Sequence, residues 1–291
     1  MKTLTVQDLC RGYLRKIRKK SLIVNKAYRY AKHPGIWMER MRLAGDSNFS
    51  SDEGATMELL RRDNFHRADA FIDQALLAEL MAEASGLLEG AESAPRSKNK
   101  NYWAQLLPRN LDANSVFVRF ALQERILRFI GAYFGESPFL QDINILASFS
   151  TDSDKWQDSQ LWHQDYGDSK VLKLWVYLTD VLTPETGPFT YLPGHLSRRV
   201  PNPFQRRVSD ETMAELGFDK QAVAVTGLKA STFLIDTRRC YHQGSRVLDG
   251  HRRVAYVATY VSFASLSGSG NQVSGRNTNW SRRQQLAIQR A

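Results

Sequence analysis

The chain has 291 residues, 42% hydrophobic and 11% aromatic, which excludes disorder and collagen-like repeats and allows a sizeable core. Its formal net charge of +10 is uneven: residues 1–42 carry 12 Lys+Arg against 2 Asp+Glu, residues 43–249 carry 22 against 28, and residues 250–291 carry 6 against none. No apolar run reaches the ~18 residues of a spanning helix, no apolar signal segment opens the chain, and Cys10 and Cys240 cannot build a disulfide framework, so a cytoplasmic setting is expected.

In chain order, Val6, Leu9, Cys10, Tyr13, Leu14, Ile17, Val24 and Tyr28 fall near helical spacing among many Lys and Arg. They predict a basic amphipathic helix over 5–32, ended by Pro34-Gly35, within an N-terminal arm 1–42. The polar stretch Gly45 to Gly54 predicts a linker over 43–63. The body then runs over 64–291. Ala70-Phe71-Ile72 reads as a short strand or turn, and Asp73 as the N-cap of a helix through Leu88. Residues 93–101 read as a loop, and 121–134 as a second helix stopped by Gly135. After Gly135 the period changes. Short apolar runs at 139–149, 161–166, 172–182, 188–192, 222–226, 231–235 and 253–263 are separated by Gly, Pro, Asp and Ser. They predict a mainly β domain with flanking helices, a sandwich of about eight strands with a jelly roll as the leading candidate. The core occupies about 139–263 and a basic tail 264–291.

The chemistry centres on Leu161-Trp162-His163-Gln164-Asp165-Tyr166. Residues i and i+2 of a strand share a face, so His163 and Asp165 can converge on one cation. His242 is the third candidate ligand. Two imidazoles and one carboxylate form the facial triad of non-haem Fe(II) oxygenases, which leaves three positions open for a 2-oxo acid and O2. Downstream of Asp165 come a strand, Leu172-Lys173-Leu174-Trp175-Val176-Tyr177-Leu178, the turn Gly187-Pro188…Pro193-Gly194-His195, and Arg253 eleven residues past His242.

With these features in this order, residues 64–263 resemble the phytanoyl-CoA dioxygenase family of Fe(II)/2-oxoglutarate-dependent oxygenases. The resemblance implies a double-stranded β-helix core of the jelly-roll or cupin-like kind. It implies His163, Asp165 and His242 as iron ligands, and Arg253 as the partner of the distal 2-oxoglutarate carboxylate, a task suited to a planar guanidinium. Trp175 aligns with a tryptophan beside the co-substrate, and is equally readable as a core aromatic. Lys173, Tyr166 and Tyr241 are candidate groups around the metal or co-substrate. Related halogenases place a small residue where Asp165 stands, so the resemblance implies hydroxylation or another oxidation rather than halogenation, with release of succinate and CO2. Ascorbate would serve as reductant in vitro.

Several alternatives stay open. Arg252 competes with Arg253, and His251 with His242. His195 stands one place early relative to the family's Pro-Gly-Ser-His turn, and reads as structural or near the substrate. The segment 194–227 carries Arg198, Arg199, Arg206 and Arg207. It reads as a lid for an anionic substrate or as solvated surface. Residues 96–109 read as another wall. The substrate is expected to be a small molecule or a lipid- or sugar-linked metabolite. The basic arm 1–42 can meet an anionic membrane, pack on the body or a second subunit, or touch nucleic acid, the least favoured partner. The rival reading is an oxygenase fold used as a binding or regulatory module without turnover.

Overall fold

The computed structural model describes residues 17, 20–46, 49–91, 96–97, 100–151, 155–201, 207–248, 250–268, 270–275 and 277–289, without the side chains of 96, 97, 100 and 101. The first half of the predicted helix over 5–32, with Cys10 and Tyr13, lies largely outside them, as do Lys98 and Arg206. Among the described residues, no helix is long and apolar enough to cross a membrane.

Helices precede strands. Ser21 accepts from the Val24 amide and starts α1, Leu22–Lys32. Pro34 does not end the helical region. It occupies the first turn of α2, Pro34–Gly45, where its missing N–H costs nothing. The expected linker over 43–63 is mostly helix α3, Ser51–Asp63. Its polar start is a capping box, in which Ser50 and Glu53 satisfy each other's backbone amides. Met57 and Leu60 then bury one face. Asp73 caps α4, Gln74–Glu89, as expected. The second predicted helix is two, α5, Val116–Ala121, and α6, Glu124–Phe134, which stops at Gly135 with φ 80°. Ala70-Phe71-Ile72 belongs to a 3-10 turn, Asp69–Phe71.

The strands form two antiparallel sheets. In the larger, β1 (Phe65–Arg67), β11 (Thr232–Asp236), β7 (Leu172–Tyr177), β13 (Arg252–Val261), β5 (Phe139–Phe149), β3 (Lys100–Gln105) and β2 (Arg96–Ser97) lie in that order. The smaller is ordered β10 (Val223–Val225), β8 (Phe189–Tyr191), β12 (His242–Gln243), β6 (Trp162–His163), β9 (Arg207–Val208). A third, two-stranded pair, β4 (Asn110–Asp112) with β14 (Gln272–Ser274), is parallel. The count exceeds the sequence expectation because β1, β9 and β12 are too short for periodicity to reveal, and because the supposed loop over 93–101 contains part of the β2–β3 hairpin.

Each face of the larger sheet has its own surroundings. Leu172, Leu174, Val176, Val254, Tyr256 and Tyr260 point outward into a core shared with α4, α5 and α6. The Tyr256 and Tyr260 hydroxyls donate to the Phe117 and Ala121 carbonyls, which fixes α5 to the sheet. Trp175, Tyr177, Phe233, Ala255 and Val257 point inward, against Phe189, Tyr191 and Val225 of the smaller sheet. The segment 196–222 packs Val200, Val208, Met213 and Phe218 on the smaller sheet's other side, with Trp162 and Tyr241.

The two positively charged ends meet. Arg40, fully buried, donates to the carbonyls of Ser137, Pro138, Leu286 and Gln289. Arg282 of α7, Arg282–Ile288, makes a bidentate pair with Glu39. The expected C-terminal tail is therefore in part a docked helix, with Leu286 and Ala287 buried. Likewise the described part of the arm lies on the body. Asn25 donates to Ala264 O and Ser265 O, and Lys26 pairs with the buried Asp168 at 3.2 Å.

Candidate metal centre

The pairing of β6 with β12 sets His163 directly opposite His242. Their rings lie 4.2 Å apart between centroids. Asp165 follows two residues after His163, past the end of β6, where its amide donates to Thr237 O at 2.9 Å. The same-face argument thus holds for His163, while a loop contact places Asp165. One donor atom from each of the three lies within 4.8 Å of the others.

Each ligand is oriented by a neighbour. His163 Nδ1 faces Leu161 O at 2.8 Å, and His242 Nδ1 faces Cys240 O at 3.3 Å. A proton on each Nδ1 leaves both Nε2 lone pairs for a cation, the usual outer support of a metal-bound histidine. Burial lowers both imidazoles below the ordinary value, and for His242 the neighbouring His163 adds to it. Both are therefore neutral near pH 7. Asp165 Oδ2 accepts from Thr237 Oγ1 at 2.6 Å and from Lys173 Nζ at 2.7 Å. Burial works to raise its carboxyl, but Lys173 and the two histidines outweigh it and hold it well below the usual carboxylate range. Two neutral imidazoles and an ionised carboxylate are the donor set that Fe(II) takes in a facial triad.

Arg253 stands on the inward face of β13, opposite Ser148. Its exposure is 1%. It donates to Gly187 O at 2.6 Å and to the hydroxyls of Ser148 and Ser245 at 3.1 Å each. Its Nε has no partner, nor has Trp175 Nε1. No carboxylate among the described residues pairs with it, an uncommon state for a buried guanidinium. Gly187 has φ +66°, and a Cβ there would meet the 246–247 backbone at 2.9 Å. Glycine therefore lets the turn close and bring its carbonyl onto Arg253. Arg252 points the other way and reaches Leu88 O, so strand alternation separates the two arginines.

The remaining candidates divide. Trp175 lies inward, stacked on Phe233 at 5.7 Å, with the Arg253 guanidinium 5.6 Å from its ring centre. It is a core aromatic and a neighbour of Arg253 at once. Lys173 reaches Asp165. Tyr166 is 72% exposed at the rim of a cleft of about 420 Å3 that also takes in Asp165 and Lys173. Tyr241 turns to the opposite side of its sheet from His242. His251 is exposed in a turn, and His195 pairs with Asp63 at 3.3 Å. Arg198 and Arg199 are exposed and absent from the cleft wall. Their segment covers the smaller sheet's outer side because its apolar residues pack there, and Arg207 is engaged by Asp158. Sequence reading missed Ser148, Thr237, Asn144 and Asp142. Their relevance comes from cross-strand register, which no local pattern carries.

No protein-family model and no curated protein matches the chain. Solved structures share its fold. EctD from S. alaskensis with 2-oxoglutarate and 5-hydroxyectoine is 18% identical, with 84% of this chain and 89% of that one covered and a TM-score of 0.53. HygX from Streptomyces hygroscopicus with nickel, 2-oxoglutarate and hygromycin B is 17% identical, with 74% and 88% covered and a TM-score of 0.51. The epimerase SnoN in complex with Fe3+, alpha ketoglutarate and nogalamycin RO is 21% identical, with 73% and 84% covered and a TM-score of 0.51.

Proposed function

We propose that the protein is an Fe(II)- and 2-oxoglutarate-dependent oxygenase that hydroxylates a small molecule. We read its two facing sheets as a double-stranded β-helix of the phytanoyl-CoA dioxygenase type. The observation that carries this reading is the pairing, inside one sandwich, of a His163/Asp165/His242 donor set with a buried Arg253 whose Nε is unpartnered and which no carboxylate among the described residues meets. EctD, HygX and SnoN, bound to 2-oxoglutarate in the structures named above, support it by fold.

When bound, Fe(II) and 2-oxoglutarate supply oxidative decarboxylation, which yields succinate and CO2 and delivers one oxygen atom of O2 to the substrate. The chain's own residues do the rest. His163, His242 and Asp165 would hold the metal through Nε2, Nε2 and a carboxylate oxygen. Arg253, steadied by Gly187 O, would take the distal carboxylate of the co-substrate, with the Ser148 and Ser245 hydroxyls beside it. Trp175, Phe189 and Phe233 would exclude water beside Arg253. Thr237 fixes the Asp165 rotamer. Lys173 holds that carboxylate ionised.

The test is succinate release from 2-oxoglutarate by the full chain with Fe(II) and ascorbate, including slow release without substrate. Release that needs both metal and an intact Arg253 supports the reading. Release that is absent although the protein binds metal overturns it in favour of a binding module.

A further inference from the structure

Two charged groups on the inward face of the larger sheet have no ion pair among the described residues, and they stand toward opposite ends of that face. Arg253 is one. The other is Asp142 of β5. Register places Asp142, Thr259 and Lys173 in one row across β5, β13 and β7. With strands ~4.8 Å apart, Asp142 and Lys173 are about 10 Å apart at the backbone. Both line the cleft that reaches Asp165, together with Gln141, Thr259 and Ser267.

The Asp142 carboxylate is held in place by neutral donors only. Asn271 N donates to Oδ1 at 3.1 Å, and Asn144 Nδ2 donates to Oδ2. Gly270 packs so tightly that a Cβ there would fall 1.9 Å from Oδ1. No cation among the described residues comes within ion-pair distance of Asp142. The one ammonium in the cleft wall, Lys173, is committed to Asp165. Burial raises the Asp142 carboxyl, against its hydrogen-bond donors and the more distant Lys173 charge, which favour the ionised form.

Resting on the oxygenase reading, we infer that Asp142 selects the substrate by pairing with a protonated amine on a small polar molecule. The cleft wall carries two carboxylates, Asp142 and Asp165, and its Lys173 ammonium is engaged by Asp165, so a cationic group on a bound molecule would answer the charge of Asp142. The anionic substrate that the arginines of 194–227 suggest carries the opposite sign, and a carboxylate in the cleft wall repels it.

The test uses matched probes that differ by a protonated nitrogen: glucosamine against glucose, and putrescine against 1,4-butanediol. Binding to the full chain loaded with Zn(II) and 2-oxoglutarate is measured by calorimetry, so no turnover is required. In the wild type the amine members are expected to bind at least about tenfold more tightly, as a charge-assisted hydrogen bond gives. D142N, which keeps an acceptor for Asn271, is expected to bring the ratio near one. If D142N fails to fold, T259K sets an ammonium beside Asp142 and is expected to do the same. Equal affinities in the wild type, no binding of any probe, or a preference that survives both substitutions overturns the inference. Succinate release without an amine preference defeats this inference alone, whereas an amine preference without succinate release defeats the oxygenase reading alone.

Discussion

The two faces of the larger sheet use the same strands for opposite purposes. Outward, β7 and β13 present Leu172, Leu174, Val176, Val254, Tyr256 and Tyr260, packed against helices with the phenols satisfied. Inward, the same strands present Lys173, Trp175, Arg253 and Thr259. The outward face is complete in itself. On the inward face Arg253 Nε and Trp175 Nε1 have no partner, and no cation among the described residues lies within ion-pair distance of Asp142. On the proposed reading, stability belongs to one face and chemistry to the other, and the alternation of side chains along a strand is what allows this.

Substitutions can break this contrast. The largest effect is expected from His242→Ala: loss of metal-dependent succinate release to background, with a folded circular-dichroism spectrum. Outward, Leu174→Ala should leave the site's chemistry alone yet cost about 2–5 kcal/mol of stability, read by denaturant unfolding. Arg253→Ala should raise the 2-oxoglutarate KM by roughly 10–100-fold, the loss of charge-assisted hydrogen bonds. A KM within twofold of wild type would remove Arg253 from the site. A pH series sharpens the contrast further. Burial lowers His163 and His242, so below the ordinary histidine value near 6.5 the unfolded chain binds protons that the folded chain refuses. Stability of the metal-free protein should therefore be fully present above that value and fall as pH drops through it. A His163→Asn/His242→Asn double variant should flatten that slope in thermal melts. The smallest effect is expected from Arg198→Ala and Arg199→Ala, which stand outside the cleft wall. Kinetic constants should stay within about twofold and stability within ~0.5 kcal/mol.

The legibility of the sequence follows the same division. Apolar runs announced β5, β7, β11 and β13, because a strand buried on both faces is a continuous hydrophobic run. His163, Asp165, His242 and Arg253 could be picked out from their types and order, and strand alternation resolves Arg252 from Arg253. The α3 capping box was mistaken for a linker because Ser, Asp and Gly serve loops and helix starts alike. Thr237, Ser148, Asn144 and Asp142 stayed hidden because a hydroxyl, amide or carboxyl gains its meaning from the strand beside it. The segment over 194–227 looked like a lid by its arginines, while Val200, Val208, Met213 and Phe218 decide where it packs.

The seat of α1 on the body reaches further than its charge. Asn25 holds the carbonyls of Ala264 and Ser265, Arg29 reaches Phe263 O, and Arg40 lies over the Phe263 ring at 4.7 Å. One residue later the same loop becomes cleft wall at Leu266, Ser267 and Gly268, with Leu266 N bound to Gly167 O. Helix α1, the described part of the basic N-terminal arm, is thus a buttress, and the loop it braces is one wall of the cleft at Asp165. Removing α1 strips two carbonyls of that loop of their donor, so the shape of the cleft is set in part by residues that never face it.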